Sequence, residues 1–454
     1  MLVPFLPFGN WFQHGSRKYF QCIEVVHAIR LLIEKSLEWG TPLVLVSIDL
    51  LKAFDSLRLS YVCYILGKYR VPLRLRYAIL RELCALRKVS LILHGIVMGY
   101  LWSNRGLCQG SPEASFIFSL VVGDMLATLD RSWKARGLGV LFGKFGGSPM
   151  AFSSWWDQHF CLLQGQGVDI ENFWVTSLAF LDDIYFASET CEAAQTMLEE
   201  LLESFAKAGL SPNIGKVAWM ANKYVSKAMD VTLRIGHILI PVSPNLVILG
   251  SFVSMDGHEE GAFRHRATRA WACFHKWEHV LCSRAALSLR LRFWEKVVQP
   301  SLLWGLQTLR SQNIKGLSVL RFCQGQQIRK MMRLKRKPIG NGVEPWVDWQ
   351  IRTLHQAKEV AERHGCEISR LFFEHRFSWA GHVARLGVKD KQAHIVHFLL
   401  LWRPLFWWRE QQLYAHVDLS QPVVHPSDWG RPRRFENGLE PSWMMQALSK
   451  YDAN

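Results

Sequence analysis

Apolar side chains between residues 24 and 39 fall at Val25, Val26, Ile29, Leu32, Ile33 and Leu37, the three-and-four spacing of a helix with one buried face, and Gly40-Thr41-Pro42 ends it. The run that follows, Leu43-Val44-Leu45-Val46-Ser47-Ile48, is continuous and β-branched, as in a strand covered on both faces, and it stops at Asp49. Residues 61–69 and 73–86 return to the helical period, and residues 88–98 read as a strand leading to a turn at Gly99. A loop, Gly106-Leu107-Cys108-Gln109-Gly110-Ser111-Pro112, precedes an amphipathic helix over 116–129. Residues 137–168 are rich in Gly and Ser and predict an irregular insertion. Two short apolar strands, 173–180 and 184–187, are joined by Leu181-Asp182-Asp183, which places acids at a hairpin tip. Residues 192–208 predict a helix with Gly209 just past its end. Beyond Asp256 the pattern changes to basic, Trp-rich helices with breaks at Pro300, Pro338 and Gly340. The expected class is α/β (α+β): an antiparallel sheet of about four strands backed by helices, then an all-helical region.

Composition narrows this further. With 454 residues, 49% of them hydrophobic and 20% charged, the chain is globular, and collagen, coiled coil, disordered polymer and small disulfide scaffold are excluded. The densest apolar stretch, residues 395–408, is broken by His397 and Arg403-Pro404, so no membrane span is expected. The ten cysteines form no CxxC pair and no zinc-spaced cluster; they read as reduced, mostly buried thiols of an intracellular protein. The N-terminus lacks the basic region of a signal peptide. Fifty-four Lys and Arg oppose 38 Asp and Glu, a net charge of +16, and residues 258–340 hold 17 basic against 4 acidic side chains, or +13. That charge, interleaved with Trp271, Phe274, Trp277, Phe293, Trp294 and Phe322, suits a polyanion with stackable bases, although a solvated basic helical face would look the same.

The candidate chemistry lies in two groups of strand-end acids: Asp49, with Asp55 six residues on, and the Asp182-Asp183 pair. Adjacent aspartates buried together repel, and a divalent cation would relieve them. Carboxylates from two neighbouring strands suit Mg²⁺, which prefers hard oxygen ligands and leaves positions open for phosphate oxygens. Taken alone, Asp-Asp reads first as an ordinary polar turn.

In order along the chain, Val46-Ser47-Ile48-Asp49-Leu50-Leu51-Lys52-Ala53-Phe54-Asp55, Gly106 to Pro112 with Phe118, Phe180-Leu181-Asp182-Asp183, Gly209-Leu210-Ser211-Pro212-Asn213 with Lys216, and Ile248-Leu249-Gly250 resemble the successive palm motifs of reverse transcriptases, those of non-LTR (LINE-like) retrotransposons above all. Gly15-Ser16-Arg17 and the helix after it resemble the segment that precedes the first catalytic motif. The stretch from Arg264 through Gln299 to Gly305 resembles the thumb, and Trp379 to Arg385 and Gly430 to Arg434 resemble signatures near such C-termini.

The resemblance implies a right-hand polymerase palm followed by an all-helical thumb. Residues 1–48 would be a residual fingers segment, 49–257 the palm, 258–340 the basic thumb and 341–454 a helical or irregular extension. It implies an RNA-directed DNA polymerase that uses two Mg²⁺ or Mn²⁺ ions, an RNA template, a DNA primer and deoxynucleoside triphosphates, in the nucleus. Asp49 and Asp182 would be the principal metal ligands, joined by the Leu50 carbonyl and Asp183, and Lys216 would donate a proton to pyrophosphate. Phe54 would lie under the sugar and reject a 2′-hydroxyl, a place equally suited to a core Phe. Gln109 and Gly110 would contact the incoming nucleotide, and Ile248-Leu249-Gly250 would grip the primer. Asp55 is not counted as a ligand, since it also suits a cap of the following turn.

This chain departs from the family at Leu181, where Ala or Met is usual, at Cys108 in place of a common arginine, and at Glu113-Ala114-Ser115. Only 48 residues precede Asp49, so truncated fingers are expected. A catalytically inactive, truncated nucleic-acid-binding remnant is the competing expectation.

Overall fold

The computed structural model of the chain describes residues 13–16, 20–85, 88–102, 105–141, 174–226, 232–309, 314–340 and 342–385. Most of the expected insertion at 137–168, the apolar run 395–408, Arg17 and the 430–434 signature lie outside them. The chain divides into two compact units, with the boundary between Leu249 and Gly250.

The first unit is built on a four-stranded antiparallel sheet. After helix α1, Cys22–Trp39, Gly40 takes a left-handed φ of 63° and returns its N–H to the Ser36 carbonyl, which ends the helix where the sequence predicts. Strand β1, Val44–Asp49, follows. Short helices α2, Ala53–Ser56, and α3, Leu59–Lys68, lead to α4, Leu73–Ala85.

The next segment corrects the single strand expected to end at Gly99. It is a hairpin of β2, Lys88–Leu93, and β3, Ile96–Trp102. The reversal is made by His94 and Gly95, both with positive φ, as two-residue hairpin turns require, while Gly99 sits inside β3 beside the register shift at Leu91/Ile92.

Helix α5 runs Pro112–Ala135, four residues earlier than its apolar period. Pro112 occupies its first turn, where a missing N–H costs nothing. Strands β4 (Val140–Leu141), β5 (Trp174–Val175), β6 (Ser177–Phe180) and β7 (Asp183–Ser188) precede helix α6, Cys191–Ala208. Thr190 caps α6 by accepting from the Ala193 N–H, and Gly209 closes it with φ 81°. Strand β8, Ala218–Ala221, completes the sheet in the order β6-β7-β1-β8.

The central strand β1 pairs on both edges, Val46 opposite Phe186 on one side and Trp219 on the other. Its Val44, Val46 and Ile48 are fully buried, and α1, α5 and α6 pack against the sheet. Strand β8 and the following hairpin of β9 (Leu233–Ile235) and β10 (Ile238–Ile240) were not foreseen from the sequence; three or four residues are too few to set a period. Strand β11, Asn245–Ile248, ends this unit.

The second unit opens with β12, Ser251–Ser254, and is then almost wholly helical: α7 (Glu260–Lys276), α8 (Glu278–Leu281), α9 (Leu287–Val297), α10 (Gln299–Leu303), α11 (Ile314–Met332), α12 (Trp346–Arg363) and α13 (Ile368–Arg385). Phe263, Phe274, Trp294, Leu302, Leu320 and Phe372 form its core. Pro300 marks the boundary expected there, in the first turn of α10 directly after α9, while Pro338 and Gly340 fall in and beside a small hairpin, Pro338–Ile339 with Gly342–Val343. Helix α11 stops at Met332, where Arg333 turns left-handed at φ 54°. Trp379 is 5% exposed and stacks on His382 within α13.

Among the described residues the nine cysteines are free, as expected, but only Cys191, Cys323 and Cys366 are buried, and Cys84 and Cys108 are exposed. None of the described helices is long and apolar enough to cross a membrane.

Candidate active site

The sheet register brings the two acid groups together. β1 ends at Asp49, β7 starts at Asp183, and the two stand directly opposite each other as the last pair of the antiparallel ladder. Phe180 pairs with Asp183 across the hairpin, so Leu181 and Asp182 form a two-residue loop at the same end of the sheet. Burial raises the Asp183 carboxyl to about 6, with the negative charges of Asp182 and Asp49 adding to it. Asp182 is raised in the same way, by burial first and Asp49 next, and Lys216 opposes the shift on both. Three carboxylates are thus held at one sheet end with too little positive charge to balance them.

A second segment is sewn onto Asp49. The Asn213 N–H donates to the Asp49 carbonyl at 2.8 Å, its carboxamide donates to Asp49 Oδ2 at 3.1 Å, and Lys216 Nζ reaches the same oxygen at 3.0 Å from the 3₁₀ turn Ile214–Lys216. Leu51 N–H donates to the Ser211 carbonyl at 2.9 Å, and Leu50 bridges Pro212. Gly209 permits this approach, because a Cβ there would lie 2.7 Å from Arg58 Cγ and 3.0 Å from the Ser56 carbonyl oxygen. The Lys216 ammonium is raised by its bond to Asp49 and stays largely exposed.

The Gly106–Gly110 loop lies along the residues after Asp49. Gly106 N–H donates to Leu57 O at 2.8 Å, Leu107 N–H donates to Phe54 O at 2.7 Å, and the Gln109 carboxamide reaches Asp55 Oδ2 at 3.5 Å. Asp55 therefore does not cap the following helix, whose N-cap is Arg58. Phe54 stacks on the buried Phe118 with ring centroids 4.8 Å apart, and Gln109 and Gly110 are exposed.

Several neighbours carry no signal in the sequence. Gln13 hydrogen-bonds both main-chain groups of Leu181, and the buried Tyr185 hydroxyl accepts from Leu249 N–H at 3.2 Å. Burial and the nearby acids push the Tyr185 phenol upward. Lys52, Leu181 and Leu249 each have a left-handed φ, of 46°, 58° and 47°, in segments that flank the acids. Such strain persists only where the surroundings enforce it.

The donor set suits a hard divalent cation: Asp182 and Asp183 carboxyls raised by burial and by the neighbouring acids, with a lysine ammonium already paired to Asp49. Among the described residues no group of three or more His, Cys, Asp or Glu is arranged to hold a metal ion by itself. Mg²⁺ binds through as few as one or two carboxylates and completes its shell with water and phosphate oxygens.

The family model described as reverse transcriptase (RNA-dependent DNA polymerase) matches residues 10–239, just over half of the chain, and spans Asp49, Asp182, Asp183 and Lys216. A transposon-derived protein of Caenorhabditis elegans is 22% identical over 242 residues, 52% of this chain and 79% of that protein. Telomerase from Candida tropicalis, in complex with a fragment of telomeric RNA, aligns at 10% identity and TM-score 0.32 over 77% of this chain and 52% of the telomerase. The Candida albicans complex aligns at 12% and 0.30 over 73% and 50%. The chain spans about half the length of these telomerases.

Proposed function

Because the chain belongs to the reverse transcriptase (RNA-dependent DNA polymerase) family, we propose that the acidic sheet end is a two-metal centre that adds deoxynucleotides to a DNA primer on an RNA template. The observation that carries this is the register pair Asp49–Asp183 with Asp182 in the adjoining loop, which fixes three carboxylates at the end of a palm sheet. Asp49 and Asp182, with the Leu50 carbonyl and Asp183, would hold two Mg²⁺ or Mn²⁺ ions. When bound, these lower the pKa of a primer 3′-hydroxyl and offset charge on the leaving pyrophosphate.

The remaining residues take roles from their positions. Lys216, exposed and close to Asp49, delivers a proton to pyrophosphate. Gln109 and Gly110, on a loop where a left-handed glycine allows close backbone approach, receive the incoming nucleotide. Phe54, backed by Phe118, presents its ring to the sugar. The Leu249–Gly250 turn bears on the primer. Residues 49–257 act as the palm, 258–340 as a basic thumb that tracks phosphates, 1–48 as the fingers-side segment, and 341–454 as an extension.

The transposon-derived relative supports an origin in a retrotransposon; the LINE-like type is inferred from this chain's own motifs, and a nuclear site of action goes with that type. The test is primer extension by the purified chain on an RNA template with Mg²⁺ or Mn²⁺. Incorporation that Asp182→Ala removes is expected, and incorporation that survives this change would overturn the reading.

A further inference from the structure

The Asp182-Asp183 turn has a difficult backbone. Leu181, the first of its two loop residues, sits at φ 58°, where an L side chain is crowded and glycine is the usual occupant. The two-residue loop between the paired Phe180 and Asp183 calls for such a φ, but Leu181 lacks the freedom of glycine there. A further restraint comes from a segment 168 residues away in the sequence.

Gln13, 2% exposed, donates from Nε2 to the Leu181 carbonyl at 2.8 Å, and its Oε1 accepts from the Leu181 N–H at 2.7 Å and from the Gly15 N–H at 2.9 Å. Both main-chain groups of the left-handed residue are therefore closed by one carboxamide. The clamp is itself anchored: His14 N–H donates to the Ala179 carbonyl on β6 at 2.8 Å, and the buried Ser119 hydroxyl of α5 donates to the Gly15 carbonyl at 2.7 Å. Gly15 completes the fit. A Cβ at that position would lie 2.6 Å from Leu181 Cγ and 2.7 Å from its nitrogen, so only glycine lets the large Leu181 side chain settle at the tip.

We propose that Gln13, with Gly15 beside it, is the positioning device of the acidic turn: its carboxamide fixes the Leu181 backbone so that Asp182 and Asp183 are preset for divalent metal. This rests on the two-metal reading above. Polar groups that orient ligands from behind typically change metal affinity by about ten- to a hundredfold when removed.

The test uses the full chain with Mn²⁺ alone as probe, titrated by electron paramagnetic resonance, alongside Mg²⁺-dependent primer extension and circular dichroism. Gln13→Glu keeps the side-chain shape and the acceptor toward the two N–H groups but replaces the donor facing the Leu181 carbonyl; Gly15→Ala perturbs the same turn through bulk. Each is expected to raise half-saturating Mn²⁺ by about tenfold or more and to lower kcat, with the spectrum of a folded chain retained. Unchanged Mn²⁺ half-saturation would overturn the proposal, including the case in which only melting temperature and kcat fall, which would mark a plain structural anchor. If one variant does not fold, the other decides. Should the unaltered chain bind Mn²⁺ no better than Asp182→Ala, the two-metal reading itself fails and this inference falls with it; normal Mn²⁺ binding by the unaltered chain and by Gln13→Glu defeats the inference alone.

Discussion

At the end of the sheet, backbone register forces Asp49 against Asp183, and no choice of rotamer can part residues that face each other across a ladder. In the second unit positive charge is in excess but distributed. Arg264 pairs with Glu260 at 2.7 Å and Lys330 with Glu278 at 2.8 Å, while Arg284, Arg292 and Lys296 are exposed and form no ion pair among the described residues. Like charges pinned by main chain make a centre in which every member is indispensable. Charges on separate helical faces make a field in which each contributes a small share that salt can screen.

That contrast is broken most decisively by mutation. Asp182→Ala or Asp49→Ala should lower primer extension on the order of a thousandfold at saturating primer–template, the scale seen when charge stabilisation of a transition state is removed. Arg292→Ala should cost less than about threefold. A comparable loss for Arg292 in steady-state extension assays would show that the helical unit contributes to the chemistry and not only to binding.

Neutralising Arg284, Arg292 and Lys296 together sharpens the other side. If all three meet phosphates, the slope of log affinity against log salt should become shallower by about 2 to 3. Fluorescence anisotropy of a labelled primer–template across a salt series measures this, and turnover of the bound complex should not change. An unaltered slope would remove this face from the binding surface.

A smaller effect concerns stability. The ordinary carboxyl value of 3.8 becomes about 6 for Asp183 in the folded chain, so the folded state holds that proton more tightly than the unfolded state does. This is the reverse of a salt-bridged aspartate. The group does not disfavour folding at about pH 4 or below, but an increasing penalty appears as pH rises toward 6, and it is constant above that. Asp183→Asn should therefore stabilise the metal-free chain by about 1 kcal/mol near neutral pH, a figure reduced for the partial solvent contact of the group. The gain should vanish near pH 4. Denaturant unfolding at several pH values would show it, and a gain that persists in acid would point to packing instead.

Much of this sheet end was legible in the sequence because the residues that meet there lie in short contiguous motifs. The run Leu43 to Ile48 predicts a strand buried on both faces, and it is the central strand; Leu181-Asp182-Asp183 predicts a hairpin tip, and it is one. What could not be read is what depends on contacts distant in sequence. Gln13 has no periodicity and meets Leu181 only across 168 residues of chain, and Tyr185 looks like any apolar strand residue until its hydroxyl meets Leu249. The turn lies at His94-Gly95 and not at Gly99 for a local reason: a lone glycine within a strand does not reverse the chain, whereas two successive positive-φ residues do.

Lys216 tests the comparison where the two kinds of charge meet. It is a surface cation, 65% exposed like those of the helical unit, yet its ammonium is 3.0 Å from Asp49 Oδ2 at the acidic end. If it behaves as a solvated surface charge, Lys216→Met should leave the melting temperature within measurement error, since exposed ion pairs contribute little to folding. If it is also the proton donor, kcat should fall while the KM for deoxynucleotide holds. Mn²⁺ should bind at least as tightly as before, because the ammonium now occupies an oxygen that the metal would use. Thermal melts, Mn²⁺ titration and steady-state kinetics on one preparation separate these effects. A marked fall in melting temperature would mean that Lys216 is structural, its charge needed to hold Asp49 and the Gly209–Lys216 segment together.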